Sequence, residues 1–126
     1  MKGYHLFLAL LLATACSPAK RAEKAFGGHI FQHWVHAHEE DQNNYRAFRP
    51  SGYELPPSRG REGFEIRKDG SFIHYPIGAA DVQGNELATW KLKGKSTLLV
   101  TPENPARPPF ELHILETEKD FLKLAK

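Results

Sequence analysis

Apolar and polar side chains alternate in short runs from residue 29 to the end of the chain. This period of two is the pattern of strands with one face in a core and the other in solvent. Clusters of Gly, Pro, Asn and Asp separate the runs at short intervals, and no run between them has a helical period. The pattern predicts eight strands, at 29–38, 45–49, 63–68, 71–77, 88–93, 96–101, 110–116 and 120–125.

The turn signals indicate how these strands are connected. Asp69-Gly70 suits the left-handed dihedrals of a tight hairpin, whereas the proline-rich segment 50–61 predicts a long ordered loop. Eight short strands favour an up-and-down barrel or a sandwich. Because pairing the last strand with the first removes both exposed edges, we predict an all-β, eight-stranded up-and-down barrel.

An eight-stranded barrel has room for packed side chains or for one small ligand. The large inward candidates either line a cavity or fill the interior, and filling is the expectation for so short a chain. These candidates are Trp34, Phe64, Phe72, Trp90, Leu98 and Phe110.

The first residues have the layout of a targeting segment. Lys2 precedes the apolar run 6–12, which is too short to span a bilayer, and Ala13-Thr14-Ala15 leads into Cys16. This arrangement resembles a bacterial lipoprotein signal. The resemblance implies cleavage before Cys16, lipidation of that cysteine and, because Ser17 follows it, sorting to the outer membrane, facing the periplasm. The alternative is a plain secretory signal with cleavage after Ala15.

The chain then divides into a signal peptide at 1–15, a tether at 16–28 and a barrel domain at 29–126. The tether contains enough Ala, Lys and Glu for a helical turn or two, which Gly27-Gly28 is expected to end.

Composition excludes several classes of function. With 126 residues, 40% hydrophobic and 25% charged, the chain suits one globular domain. The net charge of +2, without a long basic run, argues against nucleic acid as a partner. Cys16 is the only cysteine, so neither an intramolecular disulfide nor a cysteine-rich zinc site is possible. No cofactor is predicted.

The densest polar chemistry is the segment 34–41. His36 and His38 lie two apart in the predicted first strand and so share a face, and with Glu39 or Asp41 as a third ligand they form a candidate metal site. The alternative is that both imidazoles form hydrogen bonds in a polar barrel mouth.

The acidic trio at 39–41 also precedes four arginines. We predict an ion-pair network that holds the proline-rich loop over the first strand, with a leftover arginine available to a ligand anion. The network candidates are Glu39, Glu40, Asp41, Arg46, Arg49, Arg59 and Arg61. The ligand candidates are His36, His38, Arg49, Arg59 and Arg61.

No catalytic constellation accompanies these residues. A His–carboxylate pair is able to act as a general base, but there is no Gly-x-Ser-x-Gly motif, and Cys16 is assigned to the anchor. We therefore predict a protein that is not an enzyme. His29, His74 and His113 are interpreted as surface or partly packed residues.

Several spaced motifs carry a family resemblance across residues 29–126. They are Trp34 on the first strand, Phe64-x-Ile66-x-x-Asp69-Gly70-x-Phe72, Trp90-x-Leu92-x-Gly94 and Leu98-x-Val100, followed by a closing strand pair. This layout resembles small bacterial lipocalin-like (calycin) proteins and implies their barrel fold. Two further segments, 34–41 (WVHxHEED) and 56–61 (PPSRGR), resemble paired signatures of an uncharacterised bacterial family.

These observations favour a lipid-anchored envelope protein that binds a small amphipathic or anionic ligand. A second interpretation is a structural or protein-interaction module with a filled barrel, and a third is a metal-binding protein. The membrane is an expected partner through the anchor, whereas the sequence identifies no protein partner.

Overall fold

The computed structural model describes residues 17–77 and 84–126. The predicted signal peptide and Cys16 lie outside these residues. The described chain contains helix α1 (Pro18–Phe26), 3-10 turns at Gly28–Ile30 and His38–Glu40, and strands β1 (His33–His36), β2 (Tyr45–Pro50), β3 (Gly63–Ile66), β4 (Ser71–Tyr75), β5 (Glu86–Lys93), β6 (Thr97–Pro102), β7 (Phe110–Glu118) and β8 (Phe121–Ala125).

The eight strands form a closed, fully antiparallel barrel, which confirms the predicted fold class. The predicted strand positions agree with the structure to within a few residues, apart from the first strand. That strand is limited to His33–His36, because the chain turns through 3-10 geometry on both sides of it. Gly70 has a φ of 94°, so the predicted hairpin turn also forms as expected.

Closure of the barrel differs from the prediction that β8 pairs with β1. β8 pairs with β2, and β1 lies between β2 and β3, antiparallel to both. β2 and β3 are therefore parallel to each other, and the loop between them must cross β1. The loop crosses β1 on the outer surface of the barrel. Tyr53 of the loop stacks on Arg49, and Arg49 points outward because its neighbour in sequence, Phe48, points into the core.

The two ends of the barrel differ. We call the end where β1 and β4 finish and β5 begins the mouth, and the opposite end, next to α1, the closed end. The closed end is solid, because Trp34, Trp90 and Leu98 are almost fully buried there. The indole N–H of Trp34 donates to the carbonyl of Ile30 at 3.1 Å, and that of Trp90 donates to the carbonyl of Arg67 at 2.8 Å.

The predicted tether is instead part of the folded unit. Ser17 caps α1 by accepting a hydrogen bond from the Lys20 amide, and Gly27 ends the helix, as predicted, with a φ of 89°. Ala22 and Phe26 lie on one face of α1 and pack into the barrel core. The tether prediction is wrong because these two apolar residues, four apart, give the helix a face to bury.

We predict that Phe26→Ala destabilises the protein by about 3–5 kcal/mol, the usual cost of truncating a buried phenylalanine. Urea unfolding of the chain without its signal peptide measures this change. Lys20→Ala, an exposed position on the same helix, is the matched control and is expected to stay within about 0.5 kcal/mol of the parent. Equal stability of the two variants would show that α1 does not contribute to the fold.

Candidate functional site

The mouth opens into a cavity of about 420 Å³ inside the barrel. A row of inward-facing phenylalanines forms one side of it, with ring centroids 5.1 Å apart for Phe48 and Phe64, 5.5 Å for Phe64 and Phe72, and 6.0 Å for Phe72 and Phe110. Leu112 and Leu124 also line the cavity. The expectation of a filled interior therefore holds at the closed end, whereas the mouth contains a ligand-sized space.

Five of the six titratable residues that line this cavity are joined in one series of hydrogen bonds and ion pairs, and the sixth, Glu111, pairs with Lys93. Glu62 accepts from Arg46 at 2.6 Å and contacts His74 Nε2 through its other oxygen at 3.0 Å. The series continues from His74 Nδ1 to Glu86 at 3.0 Å, and from the second oxygen of Glu86 to Arg107 at 2.5 Å. We call this series the rim chain.

The rim chain stabilises its own charges. The hydrogen bond with His74 and the positive charge of Arg46 lower the pKa of Glu62 to about 2. The hydrogen bond with Glu62, reinforced by that with Glu86, raises the pKa of His74 despite its partial burial. His74, followed by Arg107, lowers the pKa of Glu86. When His74 is protonated, the charges alternate in sign and sum to +1.

Strand alternation explains why these residues meet. Glu62 precedes β3 and lies two residues from Phe64, His74 lies two residues after Phe72, and Glu86 lies two residues before Ala88. Each therefore points inward at the mouth end of a strand whose next inward residue is apolar.

The rim chain was not predicted from the sequence, where His74 was interpreted as a surface or partly packed residue. In the neighbouring strands β3, β4 and β5, a charged residue lies two positions from an inward apolar residue, at the mouth end of the strand. This spacing was the available signal in the sequence. Using that signal requires the inward face of each strand and the pairing order, which only the closed barrel shows.

The predicted metal ligands are arranged differently from the expectation. β1 ends at His36, so His38 is not on the same strand and begins a 3-10 turn. His36 Nε2 contacts Asp41 at 2.9 Å and its ring packs on Phe48, while Asp41 also accepts from the Ala47 amide. Among residues 17–77 and 84–126, no three His, Cys, Asp or Glu side chains form a metal-binding group. His36, His38 and Asp41 are therefore not gathered as one metal site in the geometry described, and metal binding stays a prediction.

The predicted ion-pair network forms in part. Arg61 contacts both carboxylate oxygens of Glu39, at 2.8 and 2.6 Å, and Arg49 contacts both oxygens of Glu40 at 2.8 Å. Arg61 also donates to the carbonyls of His36 and Pro56, so it attaches the crossing loop to the end of β1 as predicted.

The remaining network candidates have other roles. Asp41 pairs with His36, Arg46 belongs to the rim chain, and Arg59 forms no ion pair within the described chain. Arg49 lies on the outer wall between the rings of Tyr53 and Phe121, at 4.5 and 4.3 Å. The predicted ligand-binding set is therefore not gathered at the cavity, because two of its arginines, Arg49 and Arg61, are held by carboxylates outside the barrel.

A serine also lies near the predicted histidines. Ser58 Oγ is 3.4 Å from His38 Nε2, and that imidazole is about half exposed. The aspartate of this region contacts His36 instead, so serine, histidine and Asp41 do not form one relay. The contact attaches the crossing loop to the 3-10 turn.

Comparison with protein-family models, curated proteins and solved structures found no match to this chain. No helix within residues 17–77 and 84–126 has both the length and the apolar character needed to cross a membrane. The resemblance to lipocalin-like lipoproteins stays a prediction, and the geometry of the cavity is the basis for assigning a function.

We predict that the free energy of unfolding falls as the pH rises above 6.5, the ordinary pKa of histidine. The folded state raises the pKa of His74, so its stabilising charge is fully present below that pH and is lost as the pH rises through the folded-state pKa. Urea titrations between about pH 6 and 9 measure the effect. His74→Gln is expected to remove this component, whereas His113→Gln, at an exposed position, is expected to retain it. An identical pH profile for His74→Gln and the parent would contradict the assignment.

Proposed function

We propose that this chain is a lipid-anchored envelope protein whose barrel binds a small amphipathic anion at its mouth. The observation that carries the proposal is the cavity of about 420 Å³, with apolar phenylalanine and leucine walls and a charged rim. Ligand sites typically combine apolar walls with a few polar groups that set orientation, in volumes of roughly 300–1,000 Å³.

Unused hydrogen-bonding capacity on the rim chain favours an anionic head group. Both oxygens of Glu62 and both oxygens of Glu86 already have partners, as do both ring nitrogens of His74. Arg46 and Arg107 each contact one carboxylate, and a guanidinium has five N–H donors. The arginines at the two ends therefore keep unused donors, and the charges of the rim chain sum to +1 when His74 is protonated. Both features suit a carboxylate or phosphate, while the phenylalanine row suits an apolar tail.

The position of the arginines allows a ligand to reach them. The side chains of Arg46 and Arg107 are 34% and 57% exposed, and their contacts in the rim chain are with Glu62 and Glu86 rather than with His74. A ligand entering through the mouth therefore meets the arginines without breaking the His74 contacts. We infer binding rather than catalysis, because the rim side chains are engaged with one another.

The lipid anchor is supported by the sequence at Cys16. The apolar run, the small residues before the cysteine and Ser17 after it favour acylation and an address at the outer membrane, facing the periplasm. Buried acyl chains contribute about 0.8 kcal/mol per methylene to membrane attachment.

We predict that dodecanoate binds to the chain without its signal peptide in isothermal titration calorimetry. The double variant Arg46→Gln/Arg107→Gln is expected to weaken binding roughly tenfold to a hundredfold, the usual range for lost hydrogen bonds to a charged group. Arg59→Gln removes a guanidinium outside the cavity and is the matched control. Dodecylamine tests the sign of the head group, since it has the same tail and the opposite charge. Absence of dodecanoate binding, or equal affinity for the amine, would contradict the proposal.

We also predict that the expressed full-length chain incorporates labelled palmitate in a Gram-negative host. Cys16→Ala is expected to lose the label, because the acylated thiol is removed. Ser17→Ala is expected to retain the label, because the neighbouring cysteine is intact. Label that persists in the cysteine variant would exclude acylation at this position.

A further inference from the structure

The basic residues that form no ion pair are concentrated at the closed end of the described barrel. Three lie on α1 and three lie in the strand-connecting turns at this end, and all six are exposed: Lys20, Arg21, Lys24, Lys68, Lys95 and Lys119. The carboxylates that form no ion pair at the same end, within the described chain, are Glu23, Asp69 and Glu118. Within the described chain, the closed end therefore has a surplus of unpaired positive charge.

The mouth has fewer unpaired basic residues. Arg59 and Lys126 form no ion pair there within the described chain, whereas other arginines near the mouth are held by carboxylates, as in the pairs of Arg61 with Glu39 and Arg46 with Glu62. Glu103 adds a further exposed carboxylate at the end of β6. The two ends of one small barrel thus present different electrostatic surfaces.

The chain also leaves the described structure at the closed end. Ser17 is the cap of α1, and α1 is held against this end by Ala22 and Phe26. Thr117 extends this attachment by donating to the Phe26 carbonyl at 2.6 Å. Cys16 directly precedes Ser17, the cap of α1, in the sequence. An acyl group on Cys16 would consequently be attached next to the first residue of the folded unit.

We infer that the closed end is a docking surface for anionic phospholipid headgroups, which points the mouth away from the bilayer that holds the anchor. This inference rests on the acylation in the proposed function. A basic patch strengthens the membrane attachment that one acyl anchor provides. Each lysine or arginine near an anionic surface increases the membrane-binding constant about fivefold. A ligand would then enter the cavity from the aqueous side of the anchoring membrane.

Amine footprinting of the lipidated chain in vesicles tests the orientation. The protein is reconstituted in phosphatidylcholine alone or with phosphatidylglycerol, treated briefly with an amine-acetylating reagent, and analysed by mass spectrometry. We expect Lys24, Lys68 and Lys119 to react about fivefold more slowly in the anionic vesicles, with the difference lost at high salt. Lys126, at the mouth end of β8, is expected to react equally in both.

Two double variants with the same change in net charge test whether the position of the basic residues, and not only the total charge of the protein, determines the protection. Lys20→Gln/Lys95→Gln is expected to reduce the protection of the remaining closed-end lysines, whereas Arg59→Gln/Lys126→Gln is expected to leave it unchanged. Equal labelling of the closed-end lysines in the two lipid mixtures, or stronger protection at Lys126, would overturn the inference. If the cell does not acylate Cys16, coupling that thiol to a maleimide lipid provides the same anchor. The footprint then decides the orientation independently of the proposed acylation.

Discussion

The pairing of β1 on both of its edges is the interaction on which the rest of the structure depends. Four residues hold β2 on one side and β3 on the other, and so close the barrel. Gly63 comes so close to β1 that an added Cβ would lie 2.5 Å from the Trp34 carbonyl oxygen. Because β2 and β3 are both antiparallel to β1, their connection has to cross it. The proline-rich loop is therefore long for a topological reason, and the Arg61–Glu39 ion pair and the stacking of Tyr53 on Arg49 hold it in place.

The same short strand separates the two ends of the molecule. Trp34 packs with Trp90, Leu98 and the buried face of α1, which makes the closed end solid. His36, one inward position further along β1, is already at the mouth, where it stacks on Phe48 and contacts Asp41. Further toward the mouth, the inward positions are occupied by charged residues such as Glu62, His74 and Glu86, and a cavity lies between them and the phenylalanine row. A helix packs against one end and a charged rim chain lines the cavity at the other, and this asymmetry is the physical basis of the proposed binding function.

The charged groups fall into two kinds of arrangement with different energetic consequences. The outer pairs of Arg61 with Glu39 and Arg49 with Glu40 have bidentate geometry, which distinguishes them from ordinary surface ion pairs of little value. The rim chain lies partly inside the barrel, and its half-buried members Glu62 and His74 each stabilise the charged form of the other. This mutual dependence explains why Glu62 stays ionised beside an apolar wall and why the pKa of His74 rises. It also leaves the donors of the end arginines available.

Sequence alone determined the all-β class, the number of strands and nearly all of their positions, because strand period and turn chemistry are local properties. It also predicted the contact between the acidic trio and the crossing loop, since opposite charges in a short span tend to meet. Tertiary structure decided the pairing order, in which β2 rather than β1 meets β8, and the packing of α1, because both depend on contacts between distant segments. It likewise decided the site. Glu62, His74, Glu86 and Arg107 are spread over 46 residues, and only closure of the sheet points them into one mouth.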